Sequence, residues 1–159
     1  MDAHSQFAEP LLRQDGPLAL YIHWPFCVSK CPYCDFNSHV RETIDQSAWC
    51  AAMLQDMAHE AALLPHRRIG SIFFGGGTPS LMPPSTVAAL IDAAESRWGF
   101  EENVEITLEA NPSSVESARF ADLAAAGVNR VSLGLQALED EALSFLGRAH
   151  DVQEGLAAL

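Results

Sequence analysis

Three cysteines within eight residues are the most chemically distinctive feature of this 159-residue chain. Cys27, Cys31 and Cys34 form the pattern C-x3-C-x2-C, and cysteine thiolates bind zinc and iron–sulfur clusters. A structural zinc site normally closes with four ligands, and His39 could supply the fourth, although zinc is commonly bound by separate C-x2–4-C pairs. A cluster of four irons held by three cysteines instead leaves one iron open to another ligand. The spacing therefore favours an iron–sulfur cluster, with zinc as the alternative.

A glycine-rich segment, FFGGGTPSL, is a second candidate for ligand binding. Gly75, Gly76 and Gly77 carry no side chains, so a ligand can approach the backbone closely, and their N–H groups can bind a carboxylate. The alternative is a tight strand-to-helix turn, which needs one or two glycines and rarely three.

Four apolar segments are predicted to be β-strands. They are residues 18–23, 69–75, 104–109 and 130–136. Patterns of helical periodicity lie between them, and Cys50 falls on the apolar stripe of the first, which predicts a core position for this fourth cysteine. A capping box at Ser113 and Glu116 and a stop at Gly127 delimit a helix over about 114–126. The repeated β-α order predicts an α/β fold with a parallel sheet.

Polar and apolar residues alternate in three of the predicted strands. In the third strand, Ile106 and Leu108 share one face, while Thr107 and Glu109 share the other. Strands of a parallel sheet covered on both faces usually have continuous apolar runs. We interpret the alternation as a curved sheet whose apolar face is covered by helices and whose polar face lines a ligand-filled space. The alternative is that the polar residues face solvent at a poorly covered edge.

Each predicted strand is followed by a distinctive loop, and the carboxyl ends of parallel strands share one rim. The loops are WPFCVSKCPYC, GGTPS, ANPSS and ALEDE. This arrangement predicts a partial (β/α) barrel of about four β-α units with its functional residues on that rim. Because a complete eight-fold barrel usually has about 250 residues, we expect the N-terminal part of a longer protein. We expect this chain to comprise a flexible N-terminal arm, residues 1–17, and a truncated barrel domain, residues 18–159.

The overall charge disfavours a nucleic-acid-binding protein. The formal net charge is −12, whereas such proteins normally present a basic surface. The chain has no apolar run that could span a bilayer, and its first residues, MDAHSQFAEPLLRQDG, lack the basic and apolar regions of a secretory signal. Clustered cysteines in such a chain are more typical of a metal or catalytic site than of a disulfide framework. We therefore expect a cytoplasmic protein.

The cysteine loop and its surroundings resemble the radical S-adenosylmethionine (SAM) superfamily, whose signature is C-x3-C-x2-C directly after a first strand. Several further stretches resemble its coproporphyrinogen-oxidase-like branch, and most closely the HemW-type haem chaperones. They are YIHWPFC, CDFNSH, FFGGGTPSL, ITLEANP, GVNRVSLGLQ and LGRAH. The resemblance covers about residues 18–150 and implies the N-terminal part of a radical SAM partial barrel.

The resemblance also implies cofactors and the residues that bind them. It places a [4Fe–4S] cluster on Cys27, Cys31 and Cys34, with the amino and carboxylate groups of SAM on the open iron. In this superfamily the cluster delivers one electron and can cleave SAM to a 5′-deoxyadenosyl radical. The residues implied to contact SAM are Tyr21, Gly76, Gly77, Thr78, Glu109, Gln136 and Arg148. The alternative for the polar residues among them is an ordinary surface position.

Two functions of different classes fit the resemblance. One is a haem chaperone, which binds haem and transfers it to haem-requiring client proteins; the other is an oxygen-independent coproporphyrinogen III oxidase. The oxidases of this branch have the pattern C-x3-C-x2-C-x-C, with a fourth cysteine two residues after the third. In this chain, that position is Phe36. We therefore expect a haem chaperone whose haem ligand lies beyond Leu159. The role of His23, any enzymatic activity and any homo-oligomeric state are left open.

Overall fold

The structure is a computed structural model, and it describes residues 16–159, except for the side chains of residues 114 and 115. The predicted N-terminal arm, residues 1–17, therefore lies almost wholly outside the described residues. Among the helices of residues 16–159, none combines the length and the apolar character that crossing a lipid bilayer requires.

Strands and helices alternate along most of the described chain. The strands are β1 (Leu18–Trp24), β2 (Phe26–Cys27), β3 (His39–Val40), β4 (Ile69–Gly76), β5 (Phe100–Ala110) and β6 (Arg130–Leu133). The helices are α1 (Gln46–Leu63), a 3-10 helix (Pro79–Leu81), α2 (Pro84–Trp98), α3 (Ser114–Ser117), α4 (Phe120–Ala125), α5 (Asp140–Phe145) and α6 (Val152–Ala157).

The four predicted strands form one parallel sheet in the order β1-β4-β5-β6, which confirms the predicted sheet. Two of their boundaries differ from the prediction by more than one residue. β5 begins earlier, at Phe100, because this residue pairs with Ile69 at the start of β4. β6 ends earlier, at Leu133, because the chain turns sharply after Gly134.

The core lies between the apolar face of this sheet and the helices α1 and α2. Helix α2 begins at Pro84, whose missing N–H costs nothing at a first helical position. Its apolar stripe, which includes Leu90 and Ala94, is fully buried in the same cluster as Phe74 and Leu108 of the sheet. This burial fixes which face of each strand points to the helices, and therefore sends the opposite set of side chains to the other face.

The predicted alternation holds for β5, with one addition. Ile106 and Leu108 lie in the core, but Thr107 on the other face is also fully buried. Its hydroxyl donates a hydrogen bond to Glu105 and accepts one from Arg130, at 2.9 and 3.1 Å. In β6, by contrast, Val131 remains 36% exposed, so the helices cover the apolar face of this strand incompletely.

The single helix predicted over 114–126 is wrong, because the chain forms two short helices, α3 and α4. The predicted capping box is only half formed. The Ser113 hydroxyl accepts from the Glu116 N–H at 3.3 Å, but the Glu116 carboxylate turns away from Ser113. It binds Ser80 and Asn111 instead, which brings a charged side chain into the interior of the rim.

Candidate functional site

A cavity of about 580 Å³ opens at the carboxyl ends of the strands, a size typical of small-molecule sites. It is lined by the cysteine loop and by the loops after β4, β5 and β6. Nine of the ten predicted site residues line it, namely Cys27, Cys31, Cys34, Gly76, Gly77, Thr78, Glu109, Gln136 and Arg148. The structure thus brings together residues that are up to 121 positions apart in the sequence, from Cys27 to Arg148.

The cysteine loop is closed by a strand pair that the sequence did not reveal. Residues 26 and 27 of β2 pair with 39 and 40 of β3, and the His39 N–H donates to the Pro25 carbonyl at 2.6 Å. Inside the loop, the Cys34 N–H donates to the Cys31 carbonyl at 3.0 Å. Two residues of strand are too short for periodicity to detect. The pairing makes the segment from Cys27 to Cys34 a closed loop above the sheet.

His23 contacts the end of this loop that precedes β3. Its Nε2 lies 3.0 Å from the Asn37 carbonyl oxygen, and its Nδ1 lies 3.1 Å from the Tyr21 hydroxyl. Because a carbonyl only accepts, Nε2 donates to it, and in the neutral ring Nδ1 then accepts from the Tyr21 hydroxyl. The side chain of His23 therefore connects β1 to the cysteine loop.

The three thiols of the loop are free and half-buried. Within residues 16–159, no three His, Cys, Asp or Glu side chains are grouped closely enough to bind one metal ion. His39, which sequence reasoning considered as a fourth zinc ligand, is exposed, bonds to the Asn37 side chain at 3.1 Å and does not line the cavity. The cavity is thus lined by the three cysteines, and by Glu109, Glu116 and His150, but not by His39. Three thiols on one cavity fit a cluster with one open iron better than the zinc site completed by His39.

The glycine–threonine loop packs directly on the backbone of the end of β1 and of β2. The Gly77 N–H donates to the Trp24 carbonyl at 2.6 Å, and the Thr78 N–H donates to the Phe26 carbonyl at 2.8 Å. A Cβ atom on Gly77 would lie only 2.5 Å from the Phe26 oxygen, so close packing requires glycine here. The Gly77 N–H is already bonded within the protein, so the expectation that it can bind a carboxylate is wrong for this glycine.

Glu109 is half-buried at the end of β5 and is not an ordinary surface residue. Its Oε2 accepts a hydrogen bond from the Gly76 N–H at 3.2 Å, which connects the ends of β4 and β5. Burial, and after it the negative charge of Glu109, raises the pKa of the Tyr21 phenol. Tyr21 is the one predicted site residue outside the cavity lining: it is 56% exposed and stacks on Phe73.

Gln136 does not lie on a strand, which corrects its predicted place on β6. The Ala137 N–H donates to the Leu135 carbonyl at 2.8 Å, and Gln136 between them has a φ of 67°. This is a γ-turn with a positive φ, a backbone conformation that is unfavourable for a residue other than glycine. The turn nevertheless leaves Gln136 lining the cavity.

Arg148 is placed by the turn that ends α5. Gly147 has a φ of 67°, and the Arg148 N–H donates back to the Leu143 carbonyl at 2.9 Å, as in a Schellman motif. The Arg148 Nη1 then donates to the Cys31 Sγ at 3.4 Å and to the Tyr33 hydroxyl at 3.3 Å. Burial raises the pKa of the Tyr33 phenol, and Cys31 adds to this effect, although the Arg148 charge opposes it.

Sequence reasoning missed four residues of the site. Ser80 and Glu116, which are buried, and Asn111, which is half-buried, form a hydrogen-bonded group beside Arg148. His150 is also buried, at 6% exposed, and its Nε2 lies 3.2 Å from the Leu135 carbonyl. No local pattern marks these residues, because their partners lie 5 to 37 positions away along the chain.

Comparisons with known proteins agree with this architecture. Residues 21–159 match the Radical SAM superfamily. The chain is 45% identical over 143 residues to a protein of Escherichia coli (strain K12) named Heme chaperone HemW, covering 89% of this chain and 38% of that protein. It is 44% identical over 141 residues to a Bos taurus protein named Radical S-adenosyl methionine domain-containing protein 1, mitochondrial, covering 89% of this chain and 32% of that protein.

The fold resembles a solved radical SAM enzyme. The coproporphyrinogen III oxidase HemN from Escherichia coli superposes with a TM-score of 0.79 at 29% sequence identity, covering 91% of this chain and 33% of that one. The predicted α/β fold and the predicted resemblance are confirmed. The chain spans about two fifths of the E. coli relative and one third of the bovine relative and of HemN.

Proposed function

The chain belongs to the radical SAM superfamily, and from this membership we propose that Cys27, Cys31 and Cys34 bind a [4Fe–4S] cluster whose fourth iron binds SAM. Membership by itself implies a cluster and SAM; the assignment to these three cysteines is our proposal. It is supported by the three half-buried thiols on one cavity and by the guanidinium of Arg148, which donates a hydrogen bond to the Cys31 Sγ at 3.4 Å. When bound, such a cluster supplies one electron and an open coordination position.

We further propose that the rim residues bind the organic part of SAM. They are Tyr21, Gly76, Gly77, Thr78, Glu109, Gln136 and Arg148. The carboxylate of Glu109 and the guanidinium of Arg148 are the strongest candidates for charge-assisted hydrogen bonds, because both line the cavity and carry charge. Gly77 contributes shape rather than donors, since its N–H is already bonded to Trp24.

The full-length protein is proposed to be a haem chaperone that transfers haem to client proteins. The observation that carries this proposal is the 45% identity to a relative named Heme chaperone HemW. Phe36 supports it. This residue lines the cavity, and it occupies the position at which the oxidases of this branch have a fourth cysteine. The haem ligand remains a prediction for a segment beyond Leu159.

Coproporphyrinogen III oxidase activity is the second candidate, and the structural similarity to HemN favours it. The two functions share the cluster and SAM, so only substrate chemistry separates them. Function must be argued from the site, and a shared fold is the weaker argument.

The full-length protein is expected to bind haem and to lack oxidase activity. Titration with haem should produce a shifted Soret band, and an anaerobic assay with coproporphyrinogen III, SAM and a reductant should yield no protoporphyrinogen above background. The control is Phe36→Cys, which restores the fourth cysteine; we expect it to keep haem binding and to gain no oxidase activity, because three thiolates already suffice for the cluster. Enzymatic turnover by the wild-type protein, or the absence of a Soret shift, contradicts the chaperone assignment.

A further inference from the structure

A continuous chain of hydrogen-bonded side chains crosses the rim beneath the cavity. We name it the Glu116 relay, and its members in order are Ser80, Glu116, Asn111, Arg148 and Cys31. These residues come from the 3-10 helix after β4, from α3, from the loop after β5, from the turn after α5 and from the cysteine loop. The relay therefore connects every rim loop that the proposed cofactor site uses, except the one that carries Gln136.

Glu116 is the buried end of this relay. Its side chain is 6% exposed, and its carboxylate accepts hydrogen bonds from the Ser80 hydroxyl, from the Asn111 N–H at 2.8 Å and from the Asn111 Nδ2 at 3.3 Å. Burying a carboxylate is costly unless its oxygens are hydrogen-bonded, and here three neutral donors meet this need. A neutral residue would avoid this cost, so the carboxylate at this position calls for an explanation.

The Asn111 side-chain amide is oriented by Glu116 on one side and contacts Arg148 on the other. Its Nδ2 faces the carboxylate, which only accepts, so its Oδ1 must face the other way. That oxygen accepts from the Arg148 Nη2 at 2.8 Å, and the Gly134 carbonyl accepts from the same nitrogen at 2.9 Å. Both contacts on Nη2 fix the plane of the guanidinium and leave Nη1 directed at Cys31.

The Arg148 Nε is buried and has no hydrogen-bond partner among the described residues. Since Nη1 and Nη2 are fixed by Cys31, Tyr33, Asn111 and Gly134, the guanidinium cannot turn to satisfy Nε without breaking those bonds. Its orientation thus depends on all four groups, and Asn111 is the one among them whose own orientation is fixed by Glu116.

We propose that Glu116 is a positioning residue: by fixing the Asn111 amide it holds the Arg148 guanidinium against Cys31 and toward the cavity in which SAM binds. This inference rests on the proposed cluster and SAM site. Glu116 acts through Asn111 and Arg148 and is assigned no contact with the cofactor.

A conservative substitution, Glu116→Gln, should remove the hydrogen bond that orients the Asn111 side-chain amide. The Asn111 backbone N–H needs an acceptor, so the glutamine oxygen must face it, and the glutamine NH2 then meets the Asn111 Nδ2. Two donors face each other, and flipping the Asn111 amide only moves the conflict, because its NH2 then meets Arg148 Nη2. The substitution preserves the shape of the side chain at position 116. It no longer holds the Asn111 Oδ1 toward Arg148 Nη2.

The double substitution Asn111→Asp with Glu116→Gln should restore the hydrogen bonds of residue 111 to residue 116 and to Arg148. The glutamine NH2 can donate to one aspartate oxygen, and Arg148 Nη2 can donate to the other, with the backbone bond of residue 111 kept. The total charge of the pair is also unchanged. A merely structural role of Glu116 predicts that Glu116→Gln loses stability and iron together with SAM affinity, whereas a positioning role predicts weaker SAM binding at nearly unchanged iron content.

The test measures SAM dissociation constants on the anaerobically reconstituted full-length protein, with iron content and unfolding midpoint as further readouts. Glu116→Gln should bind SAM about tenfold more weakly at nearly unchanged iron content, the scale of one charged hydrogen bond. The double variant should bind within about threefold of wild type, as expected of a pair whose effects do not add. Glu95→Gln, the same chemical change on an exposed residue of α2, should have no effect.

Unchanged SAM affinity in Glu116→Gln, or a double variant as weak as the single one, overturns the inference. If Glu116→Gln does not fold, the double variant decides alone: it must fold and bind SAM, and its failure to do so also overturns the inference. If the wild-type protein itself binds no SAM, the proposed function has failed, and that outcome is distinct from every failure of the relay.

Discussion

Replacing Cys27, Cys31 or Cys34 by serine, one at a time, is expected to abolish the iron–sulfur cluster. Three thiolates are the minimum proposed ligand set, and serine is a poor ligand for iron at neutral pH because its hydroxyl stays protonated. Cys50→Ser is the matched control: Cys50 lies half-buried on α1, and it does not line the cavity of the other three cysteines. Its replacement should leave the cluster intact.

This series is measured by anaerobic reconstitution followed by iron and sulfide determination and visible absorption spectra. Circular dichroism of each variant shows whether it is folded, so that loss of iron can be separated from unfolding. Loss of the cluster in Cys50→Ser, or stoichiometric zinc in place of iron in the wild-type protein, would show that the ligand assignment is wrong.

The second large effect is expected for Gly77→Ala. A Cβ atom there would lie 2.5 Å from the Phe26 carbonyl oxygen and 2.8 Å from its carbonyl carbon, and backbone atoms cannot rotate away. The loop must therefore separate from β2, breaking the bond from Thr78 to Phe26. We expect a loss of about 1–3 kcal/mol in the free energy of unfolding, the usual cost of overpacking, and reduced cluster incorporation.

Urea denaturation of the cluster-free protein measures the first effect, and iron content after reconstitution measures the second. Gly16→Ala is the control, because a Cβ at Gly16 would meet no atom within 4 Å. It adds the same methyl group, so any general effect of replacing glycine by alanine appears in both variants. Equal stability and equal iron content in the two variants would refute the close-packing argument.

The parallel sheet could be predicted because its signals are local. Alternation of Ile106 and Leu108 with polar neighbours set the faces of β5, and the repeated strand–helix order set the direction of the strands. Once the strands are parallel, their carboxyl ends share a rim, so cysteines and glycines far apart in the sequence were expected on one side. That reasoning also placed Glu109, at the end of its strand, on the cavity, whereas Arg148 was expected there only from the family resemblance.

The details that failed depend on contacts between distant residues. Ser113 and Glu116 have the spacing of a capping box, but Glu116 finds Ser80 and Asn111 instead, and the helix breaks after Ser117. Local spacing cannot reveal this competition, because Ser80 lies 36 positions away. The γ-turn at Gln136 is equally invisible, since glutamine rarely adopts a positive φ and carries no sequence signal for it.

Mössbauer spectroscopy of isotopically enriched, reconstituted protein tests the central claim most directly, namely that three cysteines hold a four-iron cluster whose remaining iron binds SAM. If one iron alone is open, SAM should change the signal of one iron in four and leave the signal of the other three unaltered. A spectrum in which all the irons are equivalent and none responds to SAM would contradict it.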